Sequence, residues 1–386
     1  MKYVKLNLVR GISAILVAAS HLRAATVIDY DSGVAGSILA KVFYFVTGLG
    51  HQAVMVFFVL SGFFVGGAVL RAGRDFSWAN YLAARFARLW VVLLPCLLLT
   101  YGIDRVIMVV APEVLSGAFA EQWHSAPHAG NYDSSLTTAI GNVFFVQTIM
   151  VPTFGSNGPL WSLSNEFWYY ILFPFMTIAF GGIGKSPSMS QRIICAFSAS
   201  LVILFIPIAM LQGYVVWLLG LAVLVVEWTG GRRIDRYFNA LWPIATAFLL
   251  IALILSKTGH NQHANSGVDD LLIGLAFASL CAVLVSRADA KRKRAWFDNL
   301  SNTLADFSFS LYLSHFPLVI LIGALFYTEG RMRLSTISIA IYFGWLAFLL
   351  IFGWIIWWIF ERHTAAVRRR FEVLFSMVMA RNRGAA

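Results

Sequence analysis

The sequence predicts an all-α, polytopic membrane protein with about ten transmembrane helices, and three observations predict it. Of its 386 residues, 59% are hydrophobic and only 12% charged, about half the charged share of a soluble globular chain. Apolar runs recur along the whole length, each close to the roughly 20 residues that a helix needs to cross a bilayer. The basic residues gather in alternate gaps between those runs. Together these features exclude a soluble enzyme and a disordered chain, and they turn the net charge of +11 into a statement about orientation rather than nucleic-acid binding. Cys96, Cys195 and Cys281 each fall inside an apolar run with no motif spacing, so neither a disulfide framework nor a metal site is expected.

In order, the apolar stretches lie at about 6–25, 52–70, 89–111, 159–181, 191–210, 212–228, 238–256, 268–286, 306–327 and 335–360. With the N-terminus inside, 22 Lys and Arg fall on the inner side and 5 on the outer. This bias predicts both tails in the cytoplasm and an even number of spans. Runs such as Lys291 to Arg294 and Arg368 to Arg370 read as anchors beside anionic lipid. The first 25 residues imitate a signal peptide, but Arg10 and His21 break the apolar run, and the segment reads as a retained first span. Segment 34–49 either lies in the interface or re-enters, since the charge bias argues against a full crossing. No repeat or low-complexity tract divides the chain, so residues 1–386 form one membrane domain. The longest connection, 112–158, is rich in polar residues on the outer side, where a polar extracytoplasmic substrate would be met.

Ionisable residues inside apolar spans are costly and mark functional positions by default. Arg10 and His21 are eleven residues apart, about three turns, so they share one helix face about 16 Å apart along the axis. Glu166 enters the fourth span in the opposite direction, after the helix start at Gly158-Pro159. It is expected near the level of His21, where a carboxylate would fix the imidazole tautomer; its bland alternative is a packing pair. Arg85 and Arg88 share a helix face before the third span and suit an anionic phosphate, or else serve as inside anchors. His315 sits midway through the ninth span near Ser308 and Ser310, as a site residue or an interhelix bond.

Five motifs carry a resemblance: Arg10-Gly11-Ile12 through His21, VFFVLSGFF at Val56 to Phe64, the Arg85/Arg88 pair, WSLSNEFWYY at Trp161 to Tyr170, and SFSLYLSHFPL at Ser308 to Leu318. In this order they resemble the acyltransferase 3 family of membrane O-acyltransferases along nearly the whole chain. Asn7 stands where many members carry Asp, and the proline that often follows the Arg pair comes only at Pro95. The resemblance implies transfer of an acyl group, usually acetyl from acetyl-CoA, to a hydroxyl at the outer side of the bacterial inner membrane. The acceptor is then a carbohydrate such as O-antigen, exopolysaccharide or a lipid-linked sugar. Residue by residue it implies His21 as base with Glu166 as its orienter, Arg10, Arg85 and Arg88 toward the acyl-CoA, and Ser61 and Trp161 as candidate oxyanion contributors. Either direct transfer or an acyl-His intermediate fits this assignment. An appended SGNH domain, which some members carry, is not expected. A transporter of lipid-linked glycans is the competing class, but internal repeats and paired broken helices are not found.

Overall fold

The computed structural model describes residues 3–30, 37–123, 126–258, 266–286 and 295–383. Among these the architecture is all-α. In chain order the helices are α1 (Val4–Thr26), α2 (Ile38–Thr47), α3 (Gly50–Ser61), α4 (Gly67–Ala72), α5 (Trp78–Val110), α6 (Pro112–Leu115), α7 (Leu136–Val143) and α8 (Leu160–Ala179). They continue with α9 (Met189–Phe205), α10 (Ile208–Ala240), α11 (Trp242–Thr258), α12 (Ser266–Ser286), α13 (Ala295–Asp306), α14 (Ser308–Phe326), α15 (Thr336–Ile359) and α16 (Thr364–Arg383). A π-helical turn at Gly62–Gly66 joins α3 to α4.

Seven of the described stretches, not ten, are long and apolar enough to cross a membrane. They are Val4–Thr26, Gly50–Asp75, Trp78–Val110, Ile208–Thr229, Gly267–Ser286, Ser308–Phe326 and Thr336–Leu374. All ten expected segments are helical, but three fall short for physical reasons. The helices α9 and α11 have 17 residues each, about 26 Å of rise against a hydrocarbon core of about 30 Å. The helix α8 has the length, 20 residues, but Ser162, Ser164, Asn165 and Glu166 make its first half polar. In segment 34–49, residues 34–36 lie outside the described residues, and Ile38–Thr47 forms α2. Its 10 residues span about 15 Å, too short to cross, and turn Ile38, Leu39, Val42 and Val46 outward. The Lys291 to Arg294 run lies outside the described residues.

The helix α1 is central, packed by α3, α13, α14 and α15. Gly62 and Gly220 let α3 and α10 touch backbone to backbone, since a Cβ at either would collide with the other helix's main chain, the close approach that small residues permit between membrane helices. One end of the bundle gathers Arg10, Arg88 and Glu361, the other His21, His51 and Trp161. Thus α1, α5 and α14 run from the arginine end to the histidine end, while α3, α8 and α15 run back. The start of α1 and the end of α15 therefore lie at the same end of the bundle.

Candidate active site

Proline shapes the site helices. Pro317 in α14 has no N–H to give the carbonyl of Leu313, and Asn157 Nδ2 donates to that oxygen at 2.9 Å. Pro174 frees the carbonyl of Tyr170 in the same way, and Tyr81 Oη donates to it at 3.0 Å. In a membrane interior such freed groups need a protein partner. The first of these bonds ties the loop before α8 to α14, and the buried Asp104 fixes the same loop by accepting from Ser156 N at 2.9 Å and Ser156 Oγ at 2.6 Å.

The arginine end encloses a cavity of about 750 Å³. Five arginines line it (Arg10, Arg85, Arg88, Arg362, Arg368) against the three carboxylates Glu166, Asp306 and Glu361, leaving a cationic excess. Arg88 is ion-paired with the buried Glu361, which also accepts from Ser310 N at 3.0 Å and Ser310 Oγ at 2.5 Å. Arg10 Nε donates to Ser308 Oγ at 3.1 Å. The Arg85 guanidinium lies between the rings of Tyr81 and Tyr170, at 5.7 and 5.8 Å. Its Nε is buried with no hydrogen-bond partner among the described residues. Apolar side chains, among them Phe57, Phe58 and Val54, line the remainder.

The histidine end holds a second cavity, of about 310 Å³, lined by His21, His51, Trp161 and Phe316, together with the loops at 126–131 and 153–158. Both loops belong to the long connection 112–158. His21 Nδ1 is 2.9 Å from His315 Nε2, and His315 Nδ1 is 2.9 Å from the carbonyl oxygen of Leu311. A carbonyl only accepts, so His315 carries its proton on Nδ1 and presents a bare Nε2. His21 must then donate through Nδ1, and its Nε2 keeps a free lone pair. The chain of bonds sets His21 in the tautomer of a base.

The two cavities share a wall. Tyr312 and Val54 line both, and the Tyr312 hydroxyl bonds Ser162 Oγ at 2.6 Å and Pro159 O at 3.2 Å.

The structure brings Arg10, Arg85, Arg88, Ser61 and Glu166 to the first cavity, and His21, Trp161 and, through its bond to His21, His315 to the second. Glu166 does not meet His21. It lies five residues past Trp161, about 7.5 Å further along α8, and its carboxylate accepts from Tyr170 at 3.1 Å. The hydrogen-bond partner of the His21 imidazole is His315. Ser61 is bonded to Tyr170 at 3.2 Å and to Trp217 Nε1 at 3.1 Å, on the arginine side, away from the His21 cavity. Sequence reasoning missed Glu361, Tyr312 and His51, which line the cavities. Tyr312 had a signal, since it precedes His315 by one turn within the same motif; the Arg88 partner Glu361 lies 273 positions away and had none.

Comparison with known proteins finds one family. A family model described as an acyltransferase domain, that of acyltransferase 3, matches residues 3–362. No curated protein and no solved structure matches. With an all-α membrane bundle, a cationic cavity and a bonded histidine pair across one wall from it, and with the family match running over most of its length, the chain belongs to the acyltransferase 3 family, the membrane acyltransferases.

Proposed function

We propose that this protein moves an acyl group, most simply acetyl, from acyl-CoA to a hydroxyl of a glycan, with donor and acceptor in the two cavities. The observation that carries this reading is the shared wall: Tyr312 and Val54 border both the arginine-lined cavity and the His21 cavity. A thioester delivered to that wall stands beside the base.

The cationic excess of the first cavity suits the phosphates of CoA, and the forked guanidinium of Arg85 matches phosphate oxygens in pairs, while Arg88, held in its ion pair with Glu361, lines the same cavity. Its apolar wall along Phe57 and Val54 suits the pantetheine arm. In the second cavity His21 Nε2 takes the proton of the acceptor hydroxyl as its oxygen attacks the thioester carbonyl. The C–S bond breaks, and the thiolate takes that proton from His21, which returns to its starting tautomer. An acyl-imidazole on His21 would use the same nitrogen. His315 holds the ring in position, and Glu166, bonded to Tyr170, shapes the donor cavity. Trp161 lines the acceptor cavity, and Ser61 the donor cavity.

We place the arginine end toward the cytoplasm, because five arginines gather there and basic residues are retained on that side. Both tails are then cytoplasmic, in a bacterial inner membrane, and residues 1–386 act as one catalytic unit. Purified protein given acetyl-CoA and an alcohol should release free thiol and form an acetyl ester in equal amounts. Thiol release without ester, or neither product, would sink the reading.

A further inference from the structure

A second imidazole–carboxylate pair borders the His21 cavity. His51 Nε2 is 2.6 Å from Asp270 Oδ1, and the His51 ring lies over Trp161 at 6.4 Å with 20° between the planes. The sequence explains this placement. Gly50 lets the first turn of α3 press against α1: a Cβ there would stand 2.6 Å from Ser20 Cβ. His51 follows Gly50 and His21 follows Ser20, so this one close approach brings both imidazoles to the same cavity. Asp270 reaches His51 from the second turn of α12, and Trp161 reaches it from the start of α8. Three helices thus converge on one ring.

The pair has a defined chemistry. A carboxylate accepts, so His51 donates through Nε2, and in the neutral ring Nδ1 is left as a bare acceptor. That nitrogen has no partner among the described residues, and the His51 side chain is 53% exposed, so a ligand in the cavity can reach it. Trp161 beside it offers an aromatic face of the kind on which the apolar side of a pyranose ring rests, with the hydroxyls at its rim free for hydrogen bonds.

Resting on the acyl-transfer reading above, we infer that His51, held by Asp270, accepts a hydrogen bond from a second hydroxyl of a polyhydroxylated acceptor, and so decides which hydroxyl faces His21. His51 is then an acceptor-binding residue and Asp270 its positioning residue.

The test uses the full chain in liposomes with acetyl-CoA. The acceptors are methyl glucoside, methyl galactoside and methyl mannoside, with cyclohexylmethanol as a ring-sized alcohol that has a single hydroxyl. The wild type should favour at least one glycoside over cyclohexylmethanol in kcat/KM and esterify it at one main position. His51→Phe keeps a ring on Trp161 and removes the acceptor nitrogen. It should cut that preference about tenfold, the effect of one hydrogen bond, spread the ester over several positions, and leave the KM for acetyl-CoA unchanged. Asp270→Asn should move the preference the same way by less, and Asp270→Glu should restore part of it. An unchanged preference and product pattern in His51→Phe would overturn the inference while the acyl-transfer reading stands. A wild type that esterifies glycoside and cyclohexylmethanol alike would overturn it too. Ester formed on no alcohol would fail the acyl-transfer reading itself, and the inference with it.

Discussion

His21 and His315 stand with ring planes within 3° of parallel and Nδ1 to Nε2 at 2.9 Å, a relationship that makes one histidine the holder of the other. The Leu311 carbonyl fixes His315, and His315 fixes His21, so the free nitrogen of His21 is determined by a backbone atom of α14. His21→Ala should lower acyl transfer by a factor of at least about a hundred, the scale of a lost general base, in a protein that still folds. His315→Ala should lower kcat by a smaller factor and leave the KM for acetyl-CoA unmoved, because it disturbs only orientation. Equal losses in kcat and donor affinity would place His315 elsewhere in the mechanism.

Arg85 and Arg88 differ in what surrounds them. Arg85 has an unpartnered buried Nε among the described residues, whereas Arg88 is committed to Glu361. Arg85→Lys keeps the charge but loses the fork, and should raise the KM for acetyl-CoA about tenfold without changing stability. Arg88→Ala should instead destabilise by about 3–5 kcal/mol, because Glu361 is left buried and unpaired. Titrations of donor binding and thermal unfolding in detergent separate the two outcomes.

The sequence made part of this site legible. The eleven-residue spacing from Arg10 to His21 is a local property of one helix, and the structure places Arg10 at one cavity and His21 at the other. The depth of Glu166 was not legible to the same degree: it lies five residues past Trp161 on α8, and no one-dimensional argument fixes how far a helix slides along its neighbour. Glu361, Asp270 and Tyr312 acquire their roles from contacts made across the bundle. The count of spans erred because an apolar run does not show where its helix ends, as in the 17-residue α9 and α11, and because the polar first half of α8 lowers the apolarity of a helix that has the length. Proline and its replacement donor, by contrast, are half visible: Pro317 announces an orphan carbonyl but does not name Asn157.

That last pair is testable. Asn157→Ala removes the donor to Leu313 O and leaves a carbonyl of α14 unsatisfied, which should cost about 1–3 kcal/mol. Pro317→Ala returns a backbone N–H at the position where the helix can use it. The double variant Asn157→Ala/Pro317→Ala should therefore be less destabilised than the two single losses added together. Strict additivity of the unfolding midpoints would mean that the Asn157 bond is incidental.

At the histidine end a clamp joins the loop after α1 to the turn between α14 and α15. Asp29 accepts from Arg331 at 2.9 Å and from Arg23 at 3.3 Å. Burial pushes the Asp29 carboxyl up, but the hydrogen bonds and charges of Arg331 and Arg23 outweigh it and hold the group below its ordinary value of 3.8. A carboxylate with a depressed pKa adds stability that is present above that ordinary value and is lost as pH falls through the lower folded-state value. Asp29→Asn should cost about 1 kcal/mol at neutral pH, as befits a partly exposed pair. The difference from wild type should vanish below the folded-state pKa, and a gap that persists in acid unfolding curves would assign the effect to packing.

Sidedness follows from the two ends of the bundle. The cavity with five arginines and the cavity with His21 lie at opposite ends of the bundle, and the start of α1 and the end of α15 share the arginine end. If that end faces the cytoplasm, inside-out vesicles should take acetyl-CoA from the medium and esterify a luminal acceptor. Right-side-out vesicles supplied only with external acetyl-CoA should be inert, because a group carrying several phosphate charges does not cross the hydrocarbon core unaided. Tyr312→Ala thins the wall between the cavities without removing the base, and in inside-out vesicles it should raise the hydrolysis of acetyl-CoA in the absence of acceptor, as water from the histidine side reaches the thioester. Equal labelling in both orientations of sealed vesicles would mean that donor and acceptor enter from one side, and the two cavities would then be parts of a single entry path.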